Sequence, residues 1–330
     1  MIPFALRRNA LSVCAAMAML AGCGGSQPPI GAPGAMPQTF AAFAAHAVRR
    51  RSALKPGARS LGYKATAPLL FATDGGTFKL TVYPAKARHP APIATISQGL
   101  DDPVGDCIDS QGTLYVVNSS AGNGWVSEYP IGTTTPSKII TDGMSEPEYC
   151  AIDAKGNLWV TNAGGPNVTE YLKGAKKPHT VITTGLQSPV GVAIDPSGNL
   201  YVGNGSGAPS PNVQVYAPGG DSPSRTITSG ITSPLGLTVD SNGILYVANV
   251  YQDNIEEYLP GQSDPFQAIT EGVDHPGAVA VDKKGLTYVS NIGNSTIVEF
   301  TRGSLRPLKR KVTIGLDEPF GVAYYPALAP

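Results

Sequence analysis

Acidic side chains gather beside a set of evenly spaced prolines. The local sequences are Asp101-Asp102-Pro103, Ser145-Glu146-Pro147-Glu148, Gln187-Ser188-Pro189, Thr232-Ser233-Pro234, Asp274-His275-Pro276 and Asp317-Glu318-Pro319. Together they hold seven Asp and Glu, one His, and no Lys or Arg. Carboxylates brought close together repel unless a cation or solvent screens them. Oxygen ligands of this kind suit a hard cation such as Ca²⁺. The competing reading is that Asp, Ser and Glu before proline are turn formers facing water. His275 offers a general base, provided that a neighbour orients it. The other histidines, His46, His89 and His179, fall outside these segments. No Ser-His-Asp order, phosphate loop or zinc spacing accompanies them. The candidate ligand-binding residues are therefore Asp102, Glu146, Glu148, His275 and Glu318.

A repeat must position these groups. The six prolines recur at intervals of 44, 42, 45, 42 and 43 residues. After each of the first five comes a short apolar run, then Asp, a Gly-containing turn, an L-Y-V-type strand and Asn. From Pro103 the strands are predicted as A (104–108), B (114–118), C (125–129) and D (137–141). Asp109-Ser110-Gln111-Gly112 is the A–B turn, echoed by Asp153 to Gly156, Asp195 to Gly198, Asp240 to Gly243 and Asp282 to Gly285. Asp first and Gly fourth fit a type I turn. A period of this length, with four short strands in each unit, specifies an all-β six-bladed β-propeller. Residues 69–96 supply strands B, C and D of one blade, and Pro319 to Tyr324 supply its missing strand A. The C-terminal strand is thus expected to close the ring against the N-terminal blade. The D–A and B–C loops then share one face, around the mouth of the central channel.

Residues present in every blade serve the fold. Asn118, Asn162, Asn204, Asn249 and Asn291, with Asp74, are expected to satisfy backbone groups in their own loops. Tyr83, Tyr129, Tyr171, Tyr216, Tyr258 and Phe300 are expected to pack between blades. Departures from the repeat are where function should lie. Asp106 is one, since its counterparts are Cys150, Val192, Leu237, Val279 and Val322. Buried there, it would need a partner. Cys107 and Cys150 lie on neighbouring inner strands. Two parities are open: facing each other and bonding in an oxidising envelope, or pointing apart as thiols.

The grammar resembles that of NHL-repeat and YVTN-like propellers, carried best by Pro189 to Asp195 (P-x-G-x-A-x-D) and Leu245 to Asn249 (L-Y-V-x-N). It is distantly similar to gluconolactonase-type and streptogramin-lyase-type propellers over residues 65–326. The lactonase resemblance implies metal ligands directly after the proline and two residues before it. Only Glu148 fills the first slot with a ligand, whereas Asp101, Asp274 and Asp317 fill the second. The lyase resemblance implies a His base, for which His275 is the candidate.

The N-terminus has Arg7 and Arg8, an apolar stretch from Ala10 to Leu20, and then Leu20-Ala21-Gly22-Cys23. The apolar stretch has signal-peptide length and is too short to span a bilayer comfortably. Its end resembles the lipobox of bacterial lipoproteins, which implies cleavage after residue 22 and lipidation of Cys23. An ordinary secretory signal is the alternative. Residues 23–62, rich in Gly, Pro and Ala, are expected to be a disordered tether. Residues 63–330 form the propeller.

Seven of the 24 Lys and Arg precede residue 63, leaving 17 against all 24 acids, or about −7 in the folded part. That balance argues against nucleic acid as a partner. The expectation is a monomer in the cell envelope, held to the membrane by its N-terminal lipid. In a Gram-negative host it would stand on the periplasmic side of the outer membrane. It would bind a protein or small molecule, with no cofactor beyond Ca²⁺. The alternatives are a metal-dependent lactonase- or lyase-like enzyme using the channel mouth and a purely structural envelope protein.

Overall fold

Alternating apolar residues and Asp-x-x-Gly turns fold each repeat into a four-stranded antiparallel sheet. The computed structural model describes residues 62–64, 68–87, 90–120, 124–205 and 208–327. The signal segment, Cys23, nearly all of the tether and His89 lie outside the described residues. Blade one contains β1 (Leu69–Asp74), β2 (Lys79–Pro84) and β3 (Ala94–Ile96). Blade two follows as β4 (Pro103–Ile108), β5 (Thr113–Asn118), β6 (Trp125–Pro130) and β7 (Lys138–Ile140). Blade three is β8 (Pro147–Ile152), β9 (Leu158–Asn162), β10 (Asn167–Tyr171) and β11 (Thr180–Ile182). Blade four is β12 (Pro189–Ile194), β13 (Leu200–Asn204), β14 (Asn212–Tyr216) and β15 (Arg225–Ile227). Blade five is β16 (Pro234–Val239), β17 (Leu245–Asn249), β18 (Asn254–Tyr258) and β19 (Gln267–Ile269). Blade six is β20 (Pro276–Val281), β21 (Thr287–Asn291), β22 (Thr296–Phe300) and β23 (Lys311–Val312). The last strand, β24 (Ala323–Tyr325), joins blade one in the order β24-β1-β2-β3.

This is the predicted all-β six-bladed propeller, closed as expected. Leu69, Leu70 and Phe71 pair with Tyr325, Tyr324 and Ala323. An isolated bridge from Asp74 to Pro319 completes the join. The closing strand is shorter than the sequence suggests. It begins at Ala323 because Phe320 and Gly321 direct their backbone N–H groups to the carbonyl and hydroxyl oxygens of Thr73, outside a regular ladder.

The A–B turns show why Asp and Gly recur. Gly112 donates its N–H to the Asp109 carbonyl at 3.0 Å and sits at φ 86°, which glycine adopts without strain. Asp109 Oδ1 accepts from the N–H groups of Gln111 and Thr113 at 2.9 and 2.7 Å. These acids are therefore occupied by their own turns.

The core lies between blades. Val213 and Ile227 of blade four pack with Leu245 and Val247 of blade five. Val117 and Val126 of blade two pack with Leu158 and Val160 of blade three. Each such side chain contributes about 1.5–3 kcal/mol on full burial. Tyrosines at the ends of the third strands latch neighbouring blades together. The hydroxyls of Tyr129, Tyr171, Tyr216 and Tyr258 each donate to the carbonyls of Gln98, Asp142, Thr184 and Ser229 at 2.7 Å, and Tyr83 donates to Ile314 at 2.8 Å. Phe300 fills the sixth position without a hydroxyl.

Cys107 and Cys150 are joined as a disulfide between the inner strands of blades two and three, with Cα atoms 5.8 Å apart. Of the two parities, the structure has the facing one. In the chain-entropy picture, closing a loop with a sequence separation of 43 stabilises by about 4 kcal/mol.

Candidate functional site

The D–A and B–C loops of each blade are tied together at the channel mouth. The Oδ1 atoms of Asn118, Asn162, Asn204, Asn249 and Asn291 accept the N–H groups of Asp101, Ser145, Gln187, Thr232 and Asp274 at 2.9–3.1 Å. Asp74 does the same for Asp317. The next residue after each strand returns a bond, as Ser119 N–H does to the Asp102 carbonyl and Ile292 N–H to the His275 carbonyl. The asparagines thus build the rim, as expected of residues found in every blade.

Four of the five candidate residues share an unusual backbone. Asp102, Glu146, His275 and Glu318 have φ of 58°, 48°, 48° and 61°. The left-handed region disfavours residues with a Cβ. Their counterparts in the neutral blades, Ser188 and Ser233, do not adopt it. The acidic part of the rim is therefore distinct in backbone as well as charge.

The five residues divide into separate groups. Asp102, Glu146 and Glu148 come together where blades two and three meet. Glu148 is 0% exposed, and neither of its carboxylate oxygens has a hydrogen-bond partner. Burial pushes its carboxyl well above the usual range, and the charges of Asp102 and Glu146 push it further. Its counterparts are Val104, Val190, Leu235, Gly277 and Phe320, so it occupies an apolar slot. His275 belongs to a second group. Its Nδ1 lies 3.0 Å from Asp274 Oδ1 and 3.4 Å from Asp253 Oδ1. Its backbone N–H also donates to Asp253 Oδ1 at 2.7 Å. Among the described residues, these three present ligand atoms within 4.8 Å of one another, a spacing that could hold a divalent ion. A Cβ at Gly293 would overlap both Asp274 and His275, so glycine there permits the close approach. Glu318 has its own backbone bonds. Its N–H donates to Ser295 Oγ at 3.2 Å and its carbonyl accepts from Gly75.

Two residues outside the candidate set shape the site. Asp253 was missed because it lies in a B–C loop beyond the proline segments. Its φ of 51° marks the bend that carries it toward His275. Tyr149 was missed although the repeat contains the signal. The second residues after the prolines are Gly105, Tyr149, Gly191, Gly236, Ala278 and Gly321. Five small residues clear space for one large ring. Bulges after Pro103, Pro147, Pro189, Pro234 and Pro276 break the inner-strand register, the usual device for re-aiming a side chain. The Tyr149 hydroxyl lies 3.0 Å from the Gly277 carbonyl oxygen of blade six and 3.3 Å from the Phe320 carbonyl oxygen of blade one, which share its one proton. It therefore crosses the channel and divides the mouth from the lower half.

Asp106 lies below that partition. It is 9% exposed, and neither oxygen has a hydrogen-bond partner in another residue. Burial raises its carboxyl well above the ordinary range, opposed only by its own backbone N–H.

No family model matches the sequence, and neither does any curated protein. Similar solved structures do exist. A chain from the nidogen/laminin complex superposes with a TM-score of 0.67 at 19% identity, covering 79% of this chain and 98% of that one. A Bacteroides caccae protein of unknown function gives 0.63 at 12% identity, covering 78% and 99%. Virginiamycin B lyase from Staphylococcus aureus gives 0.54 at 12% identity, covering 80% and 91%. At these identities the likeness is one of fold.

Proposed function

We propose that this protein is a lipid-anchored, extracytoplasmic binding module whose D–A and B–C face takes a positively charged group on its acidic side. The observation that carries the reading is Glu148, fully buried and without a hydrogen bond, with Asp102 and Glu146 beside it. Among the described residues only Asp253, Asp274 and His275 set their ligand atoms within 4.8 Å of one another, so the trio around Glu148 would have to draw in around Ca²⁺, whereas it fits a basic side chain of a partner as it stands. A propeller of this architecture occurs in the nidogen/laminin complex, which fits a role in binding. The resemblance of Leu20 to Cys23 to a lipobox supports the anchor.

Thermal melts in chelator and in Ca²⁺ test the site. Binding at a hundred times the dissociation constant should add about 2.7 kcal/mol. The shift is expected to vanish in Glu148→Gln and Glu146→Gln. If neither Ca²⁺ nor a lysine-rich peptide raises Tm, the cationic-ligand reading fails.

A second reading, as a lyase- or lactonase-like enzyme, is favoured by the His275 group. Carboxylates against Nδ1 set the tautomer that makes Nε2 the basic nitrogen, the arrangement expected of a general base. If the mouth is catalytic, His275→Ala should lower turnover of cyclic esters at least about 100-fold, the usual scale for a general base. A panel of lactones turned over equally by both forms would reject His275 as that base.

A further inference from the structure

We infer that the lower half of the channel is a second binding site, for a small organic monocation such as an alkylammonium, with Asp106 as its counter-ion. This site lies on the far side of Tyr149 from the acidic mouth and goes beyond the function proposed above.

A cavity of about 170 Å³ occupies this part of the channel. The third residues after the six prolines, Asp106, Cys150, Val192, Leu237, Val279 and Val322, all line it. Five are apolar and one is a carboxylate. Tyr149 also lines the cavity and closes its upper end. Downward the cavity reaches the exposed A–B turn residues Pro196 and Ser241, which leave an entrance. A Cβ at Gly321 would overlap Asp106 Oδ1, so that glycine makes room for the carboxylate.

Charge and shape together select the ligand. Among the described residues, no Lys, Arg or His lines the cavity. Asp240 does, but its Oδ1 serves its own turn and its Oδ2 lies 3.3 Å from Arg302. Asp106 is left as the one carboxyl of the lining with neither a hydrogen-bond partner nor a counter-charge. A carboxylate held in apolar surroundings without a partner is unfavourable, and a cation at contact distance offsets this. Ca²⁺ takes about six to eight oxygen ligands, whereas this ring offers one carboxylate among aliphatic and sulfur groups. A bare monovalent metal ion would meet the same shortage of oxygen. An ammonium with a short aliphatic body suits both features, its N–H groups toward the Asp106 carboxylate, whose oxygens lie just beneath the cavity surface, and its carbon against Val192, Leu237, Val279 and Val322. The open surface of the cavity is more polar than apolar, with Thr238, Ser241 and Tyr324 beside the aliphatic side chains, so one lining can orient an ammonium and hold its carbon.

The test is a titration of the purified protein with n-alkylammonium chlorides, methyl to hexyl, in chelator, with KCl as control and Tm as the readout. The expected result is a saturable rise of several degrees that depends on chain length and is absent with KCl. Asp106→Leu, which restores an apolar ring, should weaken apparent affinity at least 100-fold. Should that variant fail to fold, Asp106→Asn preserves the shape and should show the same loss. Glu148→Gln should leave the response intact, which separates this site from the mouth. The proposal is overturned if no alkylammonium raises Tm, if KCl does so equally, or if the response survives in both Asp106 variants. It is also overturned if Glu148→Gln, rather than the Asp106 variants, removes the response.

Discussion

Removing residues 319–330 is expected to abolish cooperative folding of the propeller. The deletion takes away the three β24–β1 pairs and the Asp74–Pro319 bridge. It also removes Phe320, Val322 and Tyr324, which are 1%, 5% and 9% exposed. At about 1.5–3 kcal/mol each, these side chains alone account for about 5–9 kcal/mol. The net stability of a folded domain is about 5–15 kcal/mol. Tyr149 would lose one of its acceptors, the Phe320 carbonyl, and Tyr288 would lose its stacked neighbour Tyr324 at 5.4 Å. The bare edge of β1 would then invite pairing with other chains. Circular dichroism melts should show a broad transition at much lower temperature, together with concentration-dependent aggregation. A peptide of residues 319–327 added in trans should partly restore the melt by strand addition. An unchanged Tm in the truncated chain would mean that closure contributes little.

The same repeat explains what the sequence disclosed and what it hid. Asp-x-x-Gly turns, strand-ending asparagines and latch tyrosines each do one local job, so their recurrence announced both the blades and the closing strand. The mouth was legible only in part. Asp102, Glu146 and Glu148 could be named because acids stand beside prolines, but their convergence between blades two and three depends on packing. Asp253 reaches His275 through a loop whose left-handed bend has no fixed residue signature. Tyr149 was legible in principle, as one aromatic among five small residues. What sequence alone withheld was the bulge that turns its ring across the channel. All three inner-strand departures, Glu148, Tyr149 and Asp106, fall in blades two and three. The Cys107–Cys150 bond joins those same blades, so the least symmetric part of the channel is also covalently braced.

Replacing Glu148 with leucine is expected to stabilise the protein while removing cation binding at the mouth. Val104, Val190 and Leu235 fill the same slot in other blades, so leucine fits the local packing. Exchanging a buried, unsatisfied polar group for an apolar one of similar volume removes a desolvation penalty of about 1–3 kcal/mol. The pH dependence should reveal the same group. Glu148 and Asp106 are both held above the ordinary carboxylate range by burial. Well below pH 4 they are protonated in the folded and unfolded chains alike, and neither affects the slope. Above about pH 4.3 the unfolded glutamate releases its proton while the folded one keeps it. The folded state then binds more protons, and stability falls as pH rises, by about 1.4 kcal/mol per pH unit for each such group. The fall ends where the folded group itself ionises. Denaturant melts from pH 4 to pH 7 should therefore show declining stability, with a shallower decline in Glu148→Gln and in Asp106→Asn. Saturating Ca²⁺ should flatten the wild-type curve if the ion binds the ionised carboxylate. A Glu148→Leu variant that is less stable than wild type at pH 7 would mean that the carboxylate has a stabilising partner, and the case for an unsatisfied group awaiting a ligand would fall.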